Sequence, residues 1–331
     1  MICLTRDGDR ARLEAQLSWY FGSGWTACLG RRVEVVRGDV ARAGLGLSPL
    51  DYQALSGRVD GVWHCAADVR HYAADSEALL RTNLDGTREV IKLARAANAP
   101  LYHISTTSVA GERLAGREDT ALFTELDFDL GQNWRQNLYV RSKFLAEDAV
   151  YEAVRSGLTA RVFRLGRLVG RAQDGAFQQN PNTNAFWLTP RGVHAVGAIP
   201  ASMAPAPMEL TPVDWCAQAA VALRSSPLTT YHLQNPAPPT VEQAARAVVP
   251  QLQVVSDEQF QALLSRAPVD LRGDLLAPLL DLWNHLREGA QTVATDCRLT
   301  TQELERIGFR FPIPGPEHLL RAFQYDPAEH I

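Results

Sequence analysis

Leu101-Tyr-His-Ile-Ser-Thr-Thr-Ser-Val-Ala-Gly111 opens as an apolar strand and closes on hydroxyl residues and a glycine. Just upstream, Ser76–Ala97 repeats apolar residues at helical spacing, with Leu79, Leu80, Leu84, Val90, Ile91 and Ala94 near one face. Pro100 punctuates the boundary between the two. A helix with one apolar face, feeding a strand whose carboxyl end turns polar, is the repeating unit of a parallel sheet covered by helices. The same alternation extends outward in both directions. Strands are expected at Ile2–Leu4, Val33–Val36, Gly61–Cys65 and Ala160–Arg164, and helices at Arg10–Tyr20 and Leu138–Ser156. The fold class read from this pattern is α/β, with a doubly wound parallel sheet.

After about residue 170 the character changes. Proline thickens (Pro181, Pro190, Pro200, Pro205, Pro207, Pro212), and Asn180–Asn184 reads as a turn-rich loop. Helical stretches follow at Val213–Leu223, Val241–Val248, Asp257–Ser265, Leu275–Leu286, Thr301–Ile307 and His318–Phe323. Thr300 or Thr301 is expected to cap the fifth of these, with Glu303 or Glu305 in its first turn. The expected organisation is a sheet domain over residues 1–170 and a smaller, mostly helical subdomain over 171–331, interleaved with it.

Composition narrows the function classes. The 331 residues carry a net charge of −4, which gives no electrostatic reason to expect nucleic acid or an anionic membrane as partner. No apolar run reaches the roughly 18 residues needed to span a bilayer. The start lacks the basic-then-apolar layout of a secretory leader. Five cysteines (Cys3, Cys28, Cys65, Cys216, Cys297) are odd in number and widely spaced, which argues against a disulfide framework or a zinc site and for a reducing, cytoplasmic setting. Of 33 basic residues only Lys92 and Lys143 are lysines.

That scarcity bears on Tyr139-Val-Arg-Ser-Lys143. Residues i and i+4 of a helix share a face, so the phenol and the ammonium can address one site. A nearby ammonium favours phenolate, which would bring the tyrosine toward proton transfer at neutral pH. An exposed helix with a stray lysine would show the same spacing. In a chain that uses arginine by default, however, the retained lysine points to chemistry that the guanidinium fork does not suit. The hydroxyls at the end of Leu101–Gly111 can hold a substrate carbonyl oxygen, although a Ser/Thr-rich turn satisfying its own backbone would read alike.

Together these residues resemble the extended short-chain dehydrogenase/reductase family, and Gly38-Asp39, His64-Cys-Ala-Ala67 and Thr82-Asn-Leu-Asp-Gly-Thr87 extend the likeness. The resemblance sharpens to the terminal thioester reductase domains of nonribosomal peptide synthetases and carboxylic acid reductases. It rests on Cys3-Leu-Thr-Arg6, Arg32-Val-Glu-Val-Val-Arg-Gly-Asp39, Leu45-Gly-Leu-Ser48, Ala66-Ala-Asp-Val69, Asp174-Gly-Ala-Phe-Gln178, Asn180–Asn184, Glu209-Leu-Thr-Pro-Val-Asp214 and Gly308-Phe-Arg-Phe-Pro312. The resemblance implies a Rossmann-like domain with a substrate-binding tail. It implies Thr106, Tyr139, Lys143 and Asn83 as catalytic residues. It places Asp39 on the adenine, Ala66 and Ala67 beside the nicotinamide ribose, and Lys143 on the ribose hydroxyls. Arg6, with Arg10 or Arg12, would grip the 2′-phosphate of NADPH. The implied reaction reduces an acyl or peptidyl phosphopantetheine thioester, presented by a carrier protein, to an aldehyde or alcohol. Tyr139 would protonate the oxyanion with help from Thr106. The chain would act as a monomer or within a larger synthetase, with no metal.

Two departures stand against the family pattern. Met1–Arg6 already matches the family's second strand, so the first strand and its glycine-rich phosphate loop are not seen. Gly22-Ser-Gly-Trp-Thr-Ala27 is a formal GxGxxA but follows a helical pattern rather than a strand. That first strand is central in a 3-2-1-4-5 sheet, so its loss leaves neighbouring edges unpaired. The chain would then be a fragment, a repurposed domain, or one with rearranged pairing. The second departure is Arg164-Leu-Gly-Arg167, where relatives read R-x-G-N. Two alternatives stay open: an extended reductase or epimerase on a free small molecule, and a non-reducing carrier-docking or release domain.

Overall fold

The computed structural model describes residues 1–331 apart from 7, 9, 23, 25–30, 71–74, 112–121, 136, 179–183, 268–274, 288–292, 311, 313–314 and 325–331. The chain forms two compact units. Elements are numbered in chain order.

The first unit comprises Met1–Thr120, Leu126–Arg164 and Pro227–Tyr231. It holds β1 (Ile2–Thr5), α1 (Arg10–Phe21), β2 (Glu34–Arg37), α2 (Pro49–Ser56), β3 (Val62–His64), α3 (Ser76–Leu80), α4 (Gly86–Ala96), β4 (Leu101–Thr106) and α5 (Leu138–Arg155), with β6 (Ala160–Leu165) and the start of β10 (Thr230–Leu233). The α/β class expected from the sequence is the class observed. Its sheet, however, comes in two pieces: a β1–β2 ribbon and a four-stranded sheet in the order β10-β6-β4-β3. In the ribbon Ile2 aligns in parallel with Glu34, and in the larger sheet Val62 aligns in parallel with Leu101. Among the described residues β1 pairs with β2 alone and β3 with β4 alone, and no rearranged pairing is seen among them.

Both pieces share one core. Ile2 and Leu4 from the ribbon and Val62 from β3 pack on a buried cluster that includes Leu45, Val90, Ile91, Leu101 and Val162. Each large aliphatic side chain buried this way contributes about 1.5–3 kcal/mol. The helical pattern over Ser76–Ala97 is interrupted: α3 and α4 are separated by a π-turn at Arg81–Asp85. Such a turn inserts one residue into the helical ladder and is common at functional sites. Gly22, φ +68°, donates its amide to the Ser18 carbonyl and ends α1, so the described part of Gly22–Ala27 serves as a helix terminus.

The second unit comprises Ala121–Glu125, Leu165–Ser226 and His232–Ile331. It contains β5 (Leu122–Phe123), β7 (Leu168–Val169), α6 (Ala185–Val196), β8 (Ala198–Pro200), β9 (Thr211–Pro212), α7 (Val213–Leu223), α8 (Val241–Val248), β11 (Gln253–Val255), α9 (Asp257–Arg266), α10 (Ala277–Arg287), β12 (Ala294–Thr295), α11 (Arg298–Arg306) and α12 (Pro316–Gln324). Thr240 and Ser256 start α8 and α9 with reciprocal caps to Gln243 and Gln259. Two features differ from expectation. α6 runs through Pro190, in a stretch where no helix was expected. α11 begins at Arg298, three residues early, without a side-chain cap from its own N-cap residue. Glu125, 175 residues away, does that work: its carboxylate accepts from both the amide and the hydroxyl of Thr300, each at 2.7 Å. The expected loop at 180–184 lies outside the described residues except for Asn184.

Candidate active site

Two elements place the catalytic candidates. β4 is an almost wholly buried strand that ends at Thr106. There the Thr106 hydroxyl accepts from the Ser108 amide at 3.1 Å and caps a short 3-10 turn over Thr107–Ala110. α5 is an 18-residue helix started by Asn137, whose side chain accepts from the Val140 amide at 3.2 Å. Its first turn carries Tyr139 and its second Lys143. The Tyr139 phenol is hydrogen-bonded to Thr106, which joins the first turn of α5 to the carboxyl end of β4.

Lys143 is 4% exposed, and its Nζ donates to the Ile104 carbonyl at 2.7 Å. Burial lowers its pKa to about 8, while Glu147 and Cys65 pull it back up. Burial also pushes the Tyr139 phenol above its ordinary value, and the Thr106 hydrogen bond opposes that rise. The sequence reading had the ammonium lowering the phenol. In the structure desolvation dominates both groups, and the opposing influence on Tyr139 is the Thr106 hydroxyl.

Asn83 lies in the π-turn and is 2% exposed. Its amide donates to the Asp68 carbonyl at 2.9 Å and to the Ser142 hydroxyl at 2.8 Å, and its oxygen accepts from the Asp68 amide at 2.7 Å. Ser142 in turn donates to the Tyr139 carbonyl at 2.7 Å. Asn83 thus clips the segment after β3 to the helix that bears Tyr139 and Lys143. Ala66 and Ala67 sit in that clipped segment, Ala66 exposed and Ala67 half-buried. Nearby, His64 and His103 are paired across β3 and β4 with ring centroids 5.3 Å apart. His64 bonds Thr87 at 3.0 Å. Burial drives both imidazoles toward the neutral form, His64 to about 3.

The structure therefore joins Asn83, Tyr139 and Thr106 in one hydrogen-bonded chain through Ser142, with Lys143 on the next turn of α5 bonded to the Ile104 carbonyl of β4. The other candidates lie around the β1–β2 ribbon. Arg6 follows β1, Arg10 and Arg12 belong to α1, and all three are exposed. Asp39 follows β2, where its carboxylate accepts from the Ala41 amide at 2.9 Å and closes a turn.

Sequence reasoning missed what lies along the same helix face. Glu147 and Tyr151 continue the four-residue spacing of Tyr139 and Lys143. Glu147 meets Arg164 of β6 in an ion pair of 2.8 Å with both side chains wholly buried. Glu147 also accepts from Ser105 of β4. The Arg164 guanidinium donates further to the Asp127 carbonyl at 2.9 Å and to the Tyr151 hydroxyl at 3.1 Å. A signal was present: an arginine inside Ala160-Arg-Val-Phe-Arg-Leu165 has to find an anion if that strand is buried.

With that geometry in place, comparison with known proteins decides the family. The family model described as male sterility protein, an NAD-binding domain, matches residues 1–220. The chain belongs to that family.

Within the male sterility family the relatives are reductases and synthetases. Glycine betaine reductase ATRR of Emericella nidulans is 33% identical over 223 residues, covering 65% of this chain and 16% of that protein. A linear gramicidin synthase of Brevibacillus parabrevis is 30% identical over 245 residues, covering 71% of this chain and 5% of that protein. The chain thus spans under a fifth of the length of either. Among solved structures, the thiolation-reductase di-domain of an archaeal nonribosomal peptide synthetase superposes with a TM-score of 0.82 at 27% identity, covering 98% of this chain and 69% of that one. The terminal R domain of the myxalamid pathway gives 0.79 at 28% identity, covering 97% and 82%. These neighbours are reductase domains of the kind that the sequence resembles.

The departure at Arg167 falls in a turn held by Glu209, whose carboxylate accepts from the Arg167 backbone amide. Glu209 also accepts from the Thr211 hydroxyl at 2.5 Å and the Asn235 amide at 3.0 Å. A Cβ at Gly166 would lie 2.5 Å from that carboxylate, so this turn needs glycine before Arg167. Among the described residues no helix is long and apolar enough to cross a membrane.

Proposed function

We propose that this chain is an NADPH-dependent reductase domain that releases an acyl or peptidyl chain from a carrier protein's phosphopantetheine thioester, as an aldehyde or an alcohol. The observation that carries the reading is the Thr106–Tyr139 hydroxyl pair at the carboxyl end of β4, with Lys143 buried one helical turn beyond it. Support for a carrier-bound substrate comes from the neighbours, one of which is a thiolation-reductase di-domain.

The residues present fit the nicotinamide end of the cofactor. An ammonium has three donors. Among the described residues Lys143 spends one, on Ile104, which leaves two for a ribose diol. NADPH when bound supplies the hydride. Tyr139 then donates its proton to the oxyanion that develops on the thioester carbonyl, and the Thr106 hydroxyl is a second donor to that oxygen. Asn83 keeps the α5 face and the segment after β3 in register. Arg6 and Arg12, exposed beside the ribbon, would take the 2′-phosphate, and Asp39 the adenine. No strand among the described residues opens into a glycine-rich turn, so no residue is assigned to the pyrophosphate. The second reading is a carrier-docking or release domain without reduction.

Fluorescence titration of NADPH against the chain, together with thiol release from a thioester-loaded carrier protein, tests the choice. Saturable quenching that Lys143→Ala weakens, with NADPH-dependent thiol release, supports the reductase. Neither quenching nor NADPH-dependent release would sink it and leave the second reading.

A further inference from the structure

Glu147 has no part in the chemistry just described, yet it is the most elaborately held carboxylate of the first unit. One oxygen accepts from the Ser105 hydroxyl and from Arg164 Nε at 3.2 Å. The other accepts from Arg164 Nε at 3.0 Å, from Arg164 Nη2 at 2.8 Å and from the Tyr151 hydroxyl at 3.4 Å. Both oxygens only accept, which is the bonding of a carboxylate rather than of a carboxylic acid. Arg164 is held in place in turn, because Nη1 donates to the Asp127 carbonyl and Nη2 to Tyr151.

We propose that Glu147 is a positioning residue for Lys143: a fixed buried anion, anchored by Arg164 and Ser105, that keeps Lys143 an ammonium aimed at the end of β4. This rests on the reading of Tyr139 and Lys143 as the reactive pair. The geometry supports it. Lys143 bonds Ile104 and Glu147 bonds Ser105, so successive turns of α5 grip successive residues of β4 just before Thr106. The charge balance supports it as well. The groups around Lys143 are Cys65 and His64 from the end of β3, His103 from β4, the Tyr139 phenol and Thr106 hydroxyl, and the uncharged Asn83–Ser142 clip. Burial favours the neutral thiol and the neutral imidazoles. Glu147, from Lys143's own helix and backed by Arg164 of β6, is the anion that opposes the desolvation of Lys143.

The lysine scarcity of the chain provides a direct readout. With 13Cε-labelled lysine the protein gives two resonances, from Lys143 and from the surface Lys92, which pairs with Glu89 at 2.5 Å. The Lys143 resonance is expected to titrate near 8 in the unaltered chain. Glu147→Gln should lower that midpoint by about 1 pH unit, the scale of losing one nearby opposite charge, and leave Lys92 in place. Glu147→Asp, which keeps the charge, should retain most of the original value. Because Glu147→Gln leaves Arg164 buried without its anion, the double variant Glu147→Gln/Arg164→Met is made alongside. It removes both charges, keeps the core neutral and should still lower the Lys143 midpoint. An unmoved midpoint in the double variant, or equal shifts for Asp and Gln, would overturn the proposal. In turnover, loss of the anion should move the basic limb of the kcat/KM profile to lower pH, whereas a purely structural loss would depress the rate equally at every pH. The resonance titration needs no turnover, so it reads Glu147 even if the reductase reading fails.

Discussion

The Glu147 carboxylate and the Arg164 guanidinium meet at 2.8 Å with neither side chain exposed to solvent. Breaking such a pair by removing one partner costs about 3–5 kcal/mol, because an uncompensated charge is left inside, whereas replacing both with apolar groups is often close to neutral. Arg164→Met should therefore lower the urea midpoint far more than Glu147→Leu/Arg164→Met. A double variant no more stable than the single one would show that the pair is not coupled in this way.

Tyr139→Phe removes the proton donor and leaves the ring. Under the proposed function it should cut kcat by about 10²–10⁴-fold with little change in melting temperature. Thr106→Val should reduce kcat less, and the two effects should not add, because the hydroxyls are hydrogen-bonded to one another. Steady-state rates of the single and double variants on a carrier-bound thioester check both statements.

His64 and His103 make stability fall in acid. Both folded-state pKa values lie below the usual histidine value, His64 at about 3. The unfolded chain binds protons below about 6.5 and the folded chain does not, so stability is level above that pH and drops as pH falls from 6.5 toward 3. The slope is about 1.4 kcal/mol per pH unit for each imidazole. Neither ring nitrogen of His103 has a hydrogen-bond partner among the described residues. His103→Leu should therefore flatten the acid slope, measured by chemical denaturation between pH 7 and pH 4.5, and raise stability at its lower end. An unchanged slope would assign the acid sensitivity to other groups.

Asn83→Ala removes three hydrogen bonds to Asp68 and Ser142 at once and leaves the half-buried Asp68 backbone groups without their partner. The expected cost is about 2–4 kcal/mol. Amide exchange should speed up both around Asp68 and in the first turns of α5, although these regions are distant in sequence. Acceleration at only one of them would mean that Asn83 is not a clip between the two.

The sheet was legible because its strands, covered on both faces, read as short apolar runs between helical patterns. The Tyr139–Lys143 spacing and the end of β4 were legible as pattern because helical period and strand ends fix where such side chains project, whereas Asn83 was legible only through the family resemblance. What could not be read depends on contacts between distant residues. Nothing near Thr300 says that Glu125 will satisfy its amide, and nothing in α5 says that Glu147 will find Arg164 on the next strand. The π-turn at Arg81–Asp85 has the same apolar rhythm as the helices around it. α6 was hidden by Pro190, since a single proline is a strong local signal that tertiary packing can override. The direction of the Tyr139 shift turned on burial, which spacing alone does not reveal.

The two-piece sheet has a kinetic consequence. The β1–β2 ladder shares no backbone hydrogen bond with the β3–β4–β6–β10 ladder among the described residues. It adheres through Ile2 and Leu4 in the common core and through the Gly44 amide, which bonds Glu89 of α4 at 2.8 Å. A ribbon attached by side chains and a few polar cross-links, the exposed Arg58–Glu34 ion pair among them, can detach as a unit while the larger ladder stays closed. Deuterium uptake at Ile2–Thr5 and Glu34–Arg37 should then follow one shared opening rate, faster than that of Leu101–Thr106. Each such event would bare two strand edges able to pair with another molecule, so loss by aggregation should be governed by the ribbon's opening rather than by complete unfolding.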